Sequence, residues 1–247
     1  MSALEGFDPI DGVAIVLFFA AWVLHTVIVS RSPLRTRTLS HAMHAYRLRW
    51  MDNSARREAK MVDALIQNSL QQGVLFFAST SILLVGALLA GLGAAEQAVD
   101  VLGDLPFTTT DSRVEWDAKI LLVAGIFTYA FFKFAWSYRL FNYVIILLGA
   151  GPDRSSAGPP PDQAGLQEWS TRLGQLHSLA AYHFTAGIHA YFYALSVMAW
   201  FVNAWLFIAA TVWVSLVLYR RAFGSRFLRI LTGREGASGL SEPRTGA

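Results

Sequence analysis

Apolar residues in this chain come in runs about twenty residues long, separated by short clusters of charge. That is the pattern of membrane-crossing helices, not of half-buried soluble ones. The first run is "GVAIVLFFAAWVLHTVIVS", residues 12–30, with Glu5, Asp8 and Asp11 before it and Arg31, Arg35 and Arg37 after it. An acidic start is the reverse of a cleavable leader, so a retained span is expected. The second run, 73–92, continues an amphipathic helix expected to begin near Ser54. A third opens at Lys119 and stays largely apolar to Leu148, crossing over about 119–139. The last, Leu179 to Tyr219, would measure about 60 Å as one helix, twice the thickness of a bilayer core. It must turn back, and Val202-Asn203-Ala204 is the predicted turn, giving crossings at 179–201 and 204–219.

Charge tests this count independently. The segment from Arg31 to Lys60 carries eight Lys and Arg and the stretch from Arg220 carries six, whereas Ala94 to Asp117 has Arg113 alone against six acids. By the positive-inside rule the first two face the cytoplasm and the third faces out. An outside N-terminus and a cytoplasmic C-terminus need an odd number of crossings, so five is preferred to four. The expected fold class is therefore all-α, a polytopic helical membrane protein with about five transmembrane helices. A membrane domain covers 1–222, with cytoplasmic helical segments over 31–72 and 140–178 and a basic, flexible cytoplasmic tail over 223–247. A bacterial inner membrane is the expected setting. Trp116, Trp200 and Trp205 are expected at the outer interface and Trp50 and Trp169 on the inner side, where amphipathic rings belong.

In "PLRTRTLSHAMHAYRLRW", Leu39, Met43, Tyr46 and Trp50 recur at helical spacing, while His41, His44, Arg47 and Arg49 lie elsewhere around the axis. The pattern suits an interfacial amphipathic helix that presents Arg35, Arg37, Arg47 and Arg49 to anionic lipid, and an ordinary juxtamembrane linker fits it equally well. "GAGPDRSSAGPPPDQAG", 149–165, is a linker that ends the third helix. Met61, Val62, Leu65 and Ile66, with the apolar residues of "LFNYVIILLGAG", project past the inner edge and need cover. They are expected to pack together and against Leu166, Trp169, Leu173 and Leu176, or against a second copy. Ala186, Ala190 and Ala194, and likewise Gly86 and Ala90, recur every four residues, a spacing that lets helices approach closely.

Composition agrees with the class: 54% of residues are hydrophobic and 15% charged, against about 25% charged in soluble proteins. The lack of cysteine removes disulfides, thiolate zinc sites and iron–sulfur clusters. No nucleic-acid partner is expected.

The chemistry to explain lies in "AFFKFAWSYRLFNY", residues 130–143, which sets Lys133 and Arg139 in an apolar span. Arg139 falls at the inner interface and Lys133 about 9 Å deeper. His25 and His183 come out at comparable depth, with His189 further in. No Asp or Glu lies in the apolar core of any span. Lys133 must therefore snorkel, meet water and an anion, or give up its proton. Lys133, Arg139, His25, His183 and His189 are the candidate ion pathway. Haem would need His25 and His183 from different helices, and nothing selects it over hydrogen-bonded histidines. His177, His183 and His189 are six apart, so they point three ways and offer no metal pair on one helix face. No cofactor is expected, and without a carboxylate pair or activated nucleophile an enzyme ranks last.

The N-terminal span, "YRLRWM" at 46–51, "NSLQQGVLFFASTSILLVGAL" at 68–88 and above all "FKFAWSYRLFNY" at 132–143 resemble the bacterial and plant membrane family catalogued as domain of unknown function 599. The similarity covers most of the chain, from residue 10 to 222. It implies a multi-span helical membrane protein and carries over no activity. The leading functional expectation is a homo-oligomeric channel or transporter for a small anion, with Lys133 drawing the ion and Arg139 forming a cationic inner mouth. The alternative is a non-catalytic structural or regulatory membrane subunit that binds anionic lipid or a partner protein.

Overall fold

The computed structural model describes residues 8–31, 36, 38–57, 59–94, 112–151, 162–224 and 226–231. Arg35 and Arg37, the flexibility expected of the tail, and most of the 149–165 linker lie outside the described residues. Helices account for the fold: α1 (Pro9–Arg31), α2 (Leu39–Arg56), α3 (Met61–Gly91), α4 (Arg113–Gly149), α5 (Gln163–Met198), α6 (Ala204–Phe223) and the short α7 (Arg226–Leu231). No strand occurs among the described residues.

Local sequence sets the helix starts. Thr38 opens α2 by accepting the His41 N–H at 3.2 Å, and Ser112 with Glu115 forms a capping box on α4. Asn203 accepts the Leu206 N–H at 2.7 Å and opens α6, so the chain reverses where the over-long apolar run predicts. The expected helix from Ser54 is corrected. The chain leaves the helix after Arg56 and re-enters at Met61. The buried Asp63 organises this break, accepting from Trp50 Nε1 at 2.7 Å, Ser54 Oγ at 2.9 Å and Arg57 Nη1 at 2.7 Å.

The stretches holding α1, α3, α4 and α6 are each long and apolar enough to cross a membrane. Helix α5 is as long but less apolar, because it is the central helix: α4 packs along it most extensively, with α2 and α6 also against it. Its Gly187, Ala190, Tyr193, Ala194 and Val197 are buried against protein, so this helix does not need an apolar surface all round. Two glycines of α5 are required by close approach. A Cβ on Gly187 would lie 2.5 Å from Phe134 Cε1, and one on Gly174 would lie 2.8 Å from a Leu48 methyl. Ala190 and Ala194 of the predicted small-residue row are buried, whereas Gly86 and Ala90 of α3 stay exposed.

At one end of the bundle Phe18, Tyr193, Phe207 and Trp200 interlock, with Trp200 stacked on Phe207 at 5.4 Å. Trp200 is 1% exposed and donates its indole N–H to Asp11 Oδ1 at 2.7 Å, which makes it a core residue and not an interfacial one. Trp205 remains on the surface. At the other end Met51, Val144, Leu148 and Leu173 form a second cluster with Trp50, Trp169 and Leu176, the helical layer expected there. Met61, Val62, Leu65 and Ile66 take no part and are exposed. In this stretch α3 turns Asp63, Gln67 and Gln71 inward instead, and Gln71 donates to Asn142 Oδ1 at 2.7 Å.

Candidate functional site: two cavities joined at Arg47

Two cavities lie where α2 meets the bundle. The first, of about 460 Å³, is walled by Trp22 and Thr26 of α1, Ser40, His41, His44 and Arg47 of α2, Tyr129 of α4, and Tyr182, Thr185 and His189 of α5. The second, of about 500 Å³, lies between α2, α3, α4 and α5, and Met43, Trp50, Gly73, Val74, Phe141 and Phe184 dominate its lining. Arg47 and Thr185 line both.

Arg47 reaches this position because it shares a helix face with Met43, Trp50 and Ser54, at spacings of four, three and four residues. The guanidinium is partly buried, and desolvation lowers its pKa. The ion pairs Arg56–Asp52, Arg57–Asp63 and Arg172–Glu168 leave Arg47 without a carboxylate among the described residues. A partly buried cation without a counter-charge favours an anion in the space beside it. Polar groups surround it: His44 Nδ1 lies 2.7 Å from Ser178 Oγ, and Ser40, His41 and Thr185 face the same cavity. His177, 3% exposed, lines the second cavity between Trp50 and Phe141, with ring centroids at 5.3 and 5.1 Å. Neither of its ring nitrogens has a hydrogen-bond partner. Burial, and secondarily the Arg47 charge, lowers its pKa to about 4, which leaves the imidazole neutral at pH 7.

The five residues of the expected ion pathway do not form one cluster. Lys133 places Nζ 5.1 Å from the centre of the Tyr129 ring, which itself lines the first cavity, so Lys133 sits one ring away from it. Arg139 is exposed, rests against Trp136 and Tyr143 at 5.9 and 5.6 Å, and donates Nε–H to Tyr143 Oη at 2.6 Å. It lines neither cavity. The histidine pair matched by depth, His25 with His183, is not the pair that meets. His25 packs edge-on to His189 with centroids 5.0 Å apart, while His183 lies beside Tyr182 and Trp136. Six residues on a helix turn a side chain by about 240°, so His183 and His189 face different neighbours. Arg49 is exposed over the Tyr46 ring. No group of three or more His, Asp or Glu suited to a metal occurs among the described residues.

The sequence pattern sets Arg47 among the lipid-facing cations and gives His177 no role beyond its spacing from His183 and His189. The row Met43, Arg47, Trp50 and Ser54 was a usable signal, since it sets a cation on an otherwise packed face.

The family model described as "Protein of unknown function, DUF599" matches residues 13–227. The chain belongs to this family. The match runs from α1 into α7 and includes every residue named at the two cavities. No curated protein and no solved structure matches the chain.

Proposed function

We propose that this protein is a non-catalytic membrane component that holds an anionic ligand at Arg47. The observation that carries the reading is a partly buried guanidinium, shared by two cavities, with no carboxylate partner among the described residues. The charge distribution supports placing this end of the bundle at the cytoplasmic face of a bacterial inner membrane, with the N-terminus outside: eight Lys and Arg lie between Arg31 and Lys60. Beyond the first cavity the bundle is filled by Phe18, Tyr193 and Phe207, each 0% exposed, and by Trp200. That packing favours one-sided binding over a continuous pore through a single chain.

Anion transport is the second reading, favoured by Lys133 one ring from the cavity. It requires the aromatic packing around Tyr193 to open. Titrating inorganic phosphate into the protein in phosphatidylcholine nanodiscs, together with liposome flux of chloride, nitrate and phosphate, decides between them. The expected result is saturable phosphate binding that weakens at least tenfold in Arg47→Gln and persists in Lys133→Met, without flux. Flux that depends on Lys133 overturns the binding reading.

A further inference from the structure

The polar groups and the apolar space are divided between the two cavities, and the division identifies the class of ligand. The first cavity offers Arg47 with hydroxyl and imidazole groups, including Ser40, His44 and Thr185. The second is walled mainly by Met43, Val74, Phe141 and Phe184, and its volume of about 500 Å³ falls within the range of ligand pockets. A small hydrophilic anion would satisfy Arg47 and leave this apolar space unfilled. A molecule with a charged head and an apolar chain would occupy both, passing Arg47 and Thr185 where the cavities join.

His177 is the independent sign of an occupant. It is 3% exposed, it lines the apolar cavity, and neither ring nitrogen is hydrogen-bonded. A buried polar side chain left without partners costs about 1–3 kcal/mol. A neutral imidazole carries one N–H donor and one acceptor nitrogen; both are enclosed here, so an ester carbonyl just below a headgroup would accept from it once the ring turns toward the cavity.

We infer that the ligand is an anionic phospholipid of the inner leaflet, its phosphodiester on Arg47, its ester region near His177 and one acyl chain in the cavity between Val74, Phe141 and Phe184. This rests on the Arg47 reading and adds the lipid class and the place of the chain. The glycine at position 73 allows the two to be tested apart. It lines the second cavity, and a Cβ there meets nothing within 4 Å. Gly73→Leu therefore starts from an unobstructed Cβ and is expected to take up chain space, and replacing a mid-helix glycine favours the helix.

The experiment measures binding of phosphatidylglycerol, in competition with phosphatidylcholine, by native mass spectrometry of the purified protein, alongside inorganic phosphate titration. The variants are Gly73→Leu and Arg47→Gln, each checked for thermal melting. Phosphatidylglycerol is expected to bind in preference to phosphatidylcholine and to weaken at least tenfold in both variants. Phosphate binding is expected to be lost in Arg47→Gln alone. Unchanged phosphatidylglycerol binding in Gly73→Leu would overturn the chain placement while leaving the anion site standing. Equal binding of the two lipids would overturn the anionic class. Unchanged phosphate binding in Arg47→Gln would remove the anion site and the lipid inference with it.

Discussion

The Asp63 carboxylate accepts the indole N–H of Trp50 at 2.7 Å, and through this bond the last turns of α2 are fixed to the first turn of α3. Asp63 is 1% exposed and also accepts from Ser54 and Arg57. Trp50 in turn walls the second cavity, so the same carboxylate holds a side of the candidate site. Removing the acceptor leaves buried donors unmatched, and Asp63→Leu is expected to cost about 3 kcal/mol. Ser54→Ala, which removes one donor and leaves the others, is expected to cost about 1 kcal/mol. Denaturant unfolding in detergent measures both, and equal small losses would show that the α2–α3 junction is not organised by Asp63.

Gly187 marks a close approach of α5 to α4. Its missing Cβ would fall 2.5 Å from Phe134, a ring that is itself 0% exposed and has nowhere to retreat. Gly187→Ala is expected to destabilise by about 1–3 kcal/mol through overpacking, despite the gain of about 1 kcal/mol in helix propensity. Gly125→Ala, where a Cβ meets nothing within 4 Å, is expected to be neutral or stabilising. Thermal melts of the two variants side by side separate packing from propensity.

Burial of His177 has a pH consequence with a definite sign. Its pKa is about 4 in the fold against 6.5 when unfolded. Between these values the unfolded chain binds the proton and the folded one does not, so stability rises with pH across this window. The contribution is complete above pH 6.5 and is lost as pH falls toward 4, a change of about 3 kcal/mol. His177→Phe is expected to flatten this slope in pH-dependent unfolding. A slope unchanged in the variant would place the titration elsewhere.

The helices were legible wherever an apolar run had to cover a lipid-facing or core surface. Even the reversal at Asn203 was legible, because the run from Leu179 is too long for one crossing and Asn203 is a good helix start. The break between Arg56 and Met61 was not, since the four residues between them hold neither glycine nor proline. It is a tertiary feature made by donors converging on Asp63. The site was half legible. Lys133 stood out because a cation in an apolar span is conspicuous, and it lies one ring from the first cavity. Arg47 did not stand out in a segment full of arginine. What distinguishes it from Arg49 is helical phase, which decides burial only once α5 is in place.

The expected count of five crossings predicts which face each loop reaches. Single cysteines at the exposed Asp8, Asn53, Arg113, Gly165 and Gly224 are expected to divide between the two faces. Asp8 and Arg113 should react with impermeant reagent added outside, and Asn53, Gly165 and Gly224 only after the inner face is opened. Gly165 and Gly224 reacting from opposite faces would leave an odd number of crossings between them and contradict the α5–α6 hairpin.

The most direct test of the Arg47 site is an experimental density map of the protein in nanodiscs containing phosphatidylglycerol, detailed enough to show this side chain. The expected result is a headgroup within hydrogen-bond reach of the guanidinium, continuous with density between Phe141 and Phe184. A guanidinium paired with a carboxylate of the chain itself, beside a collapsed second cavity, would contradict it.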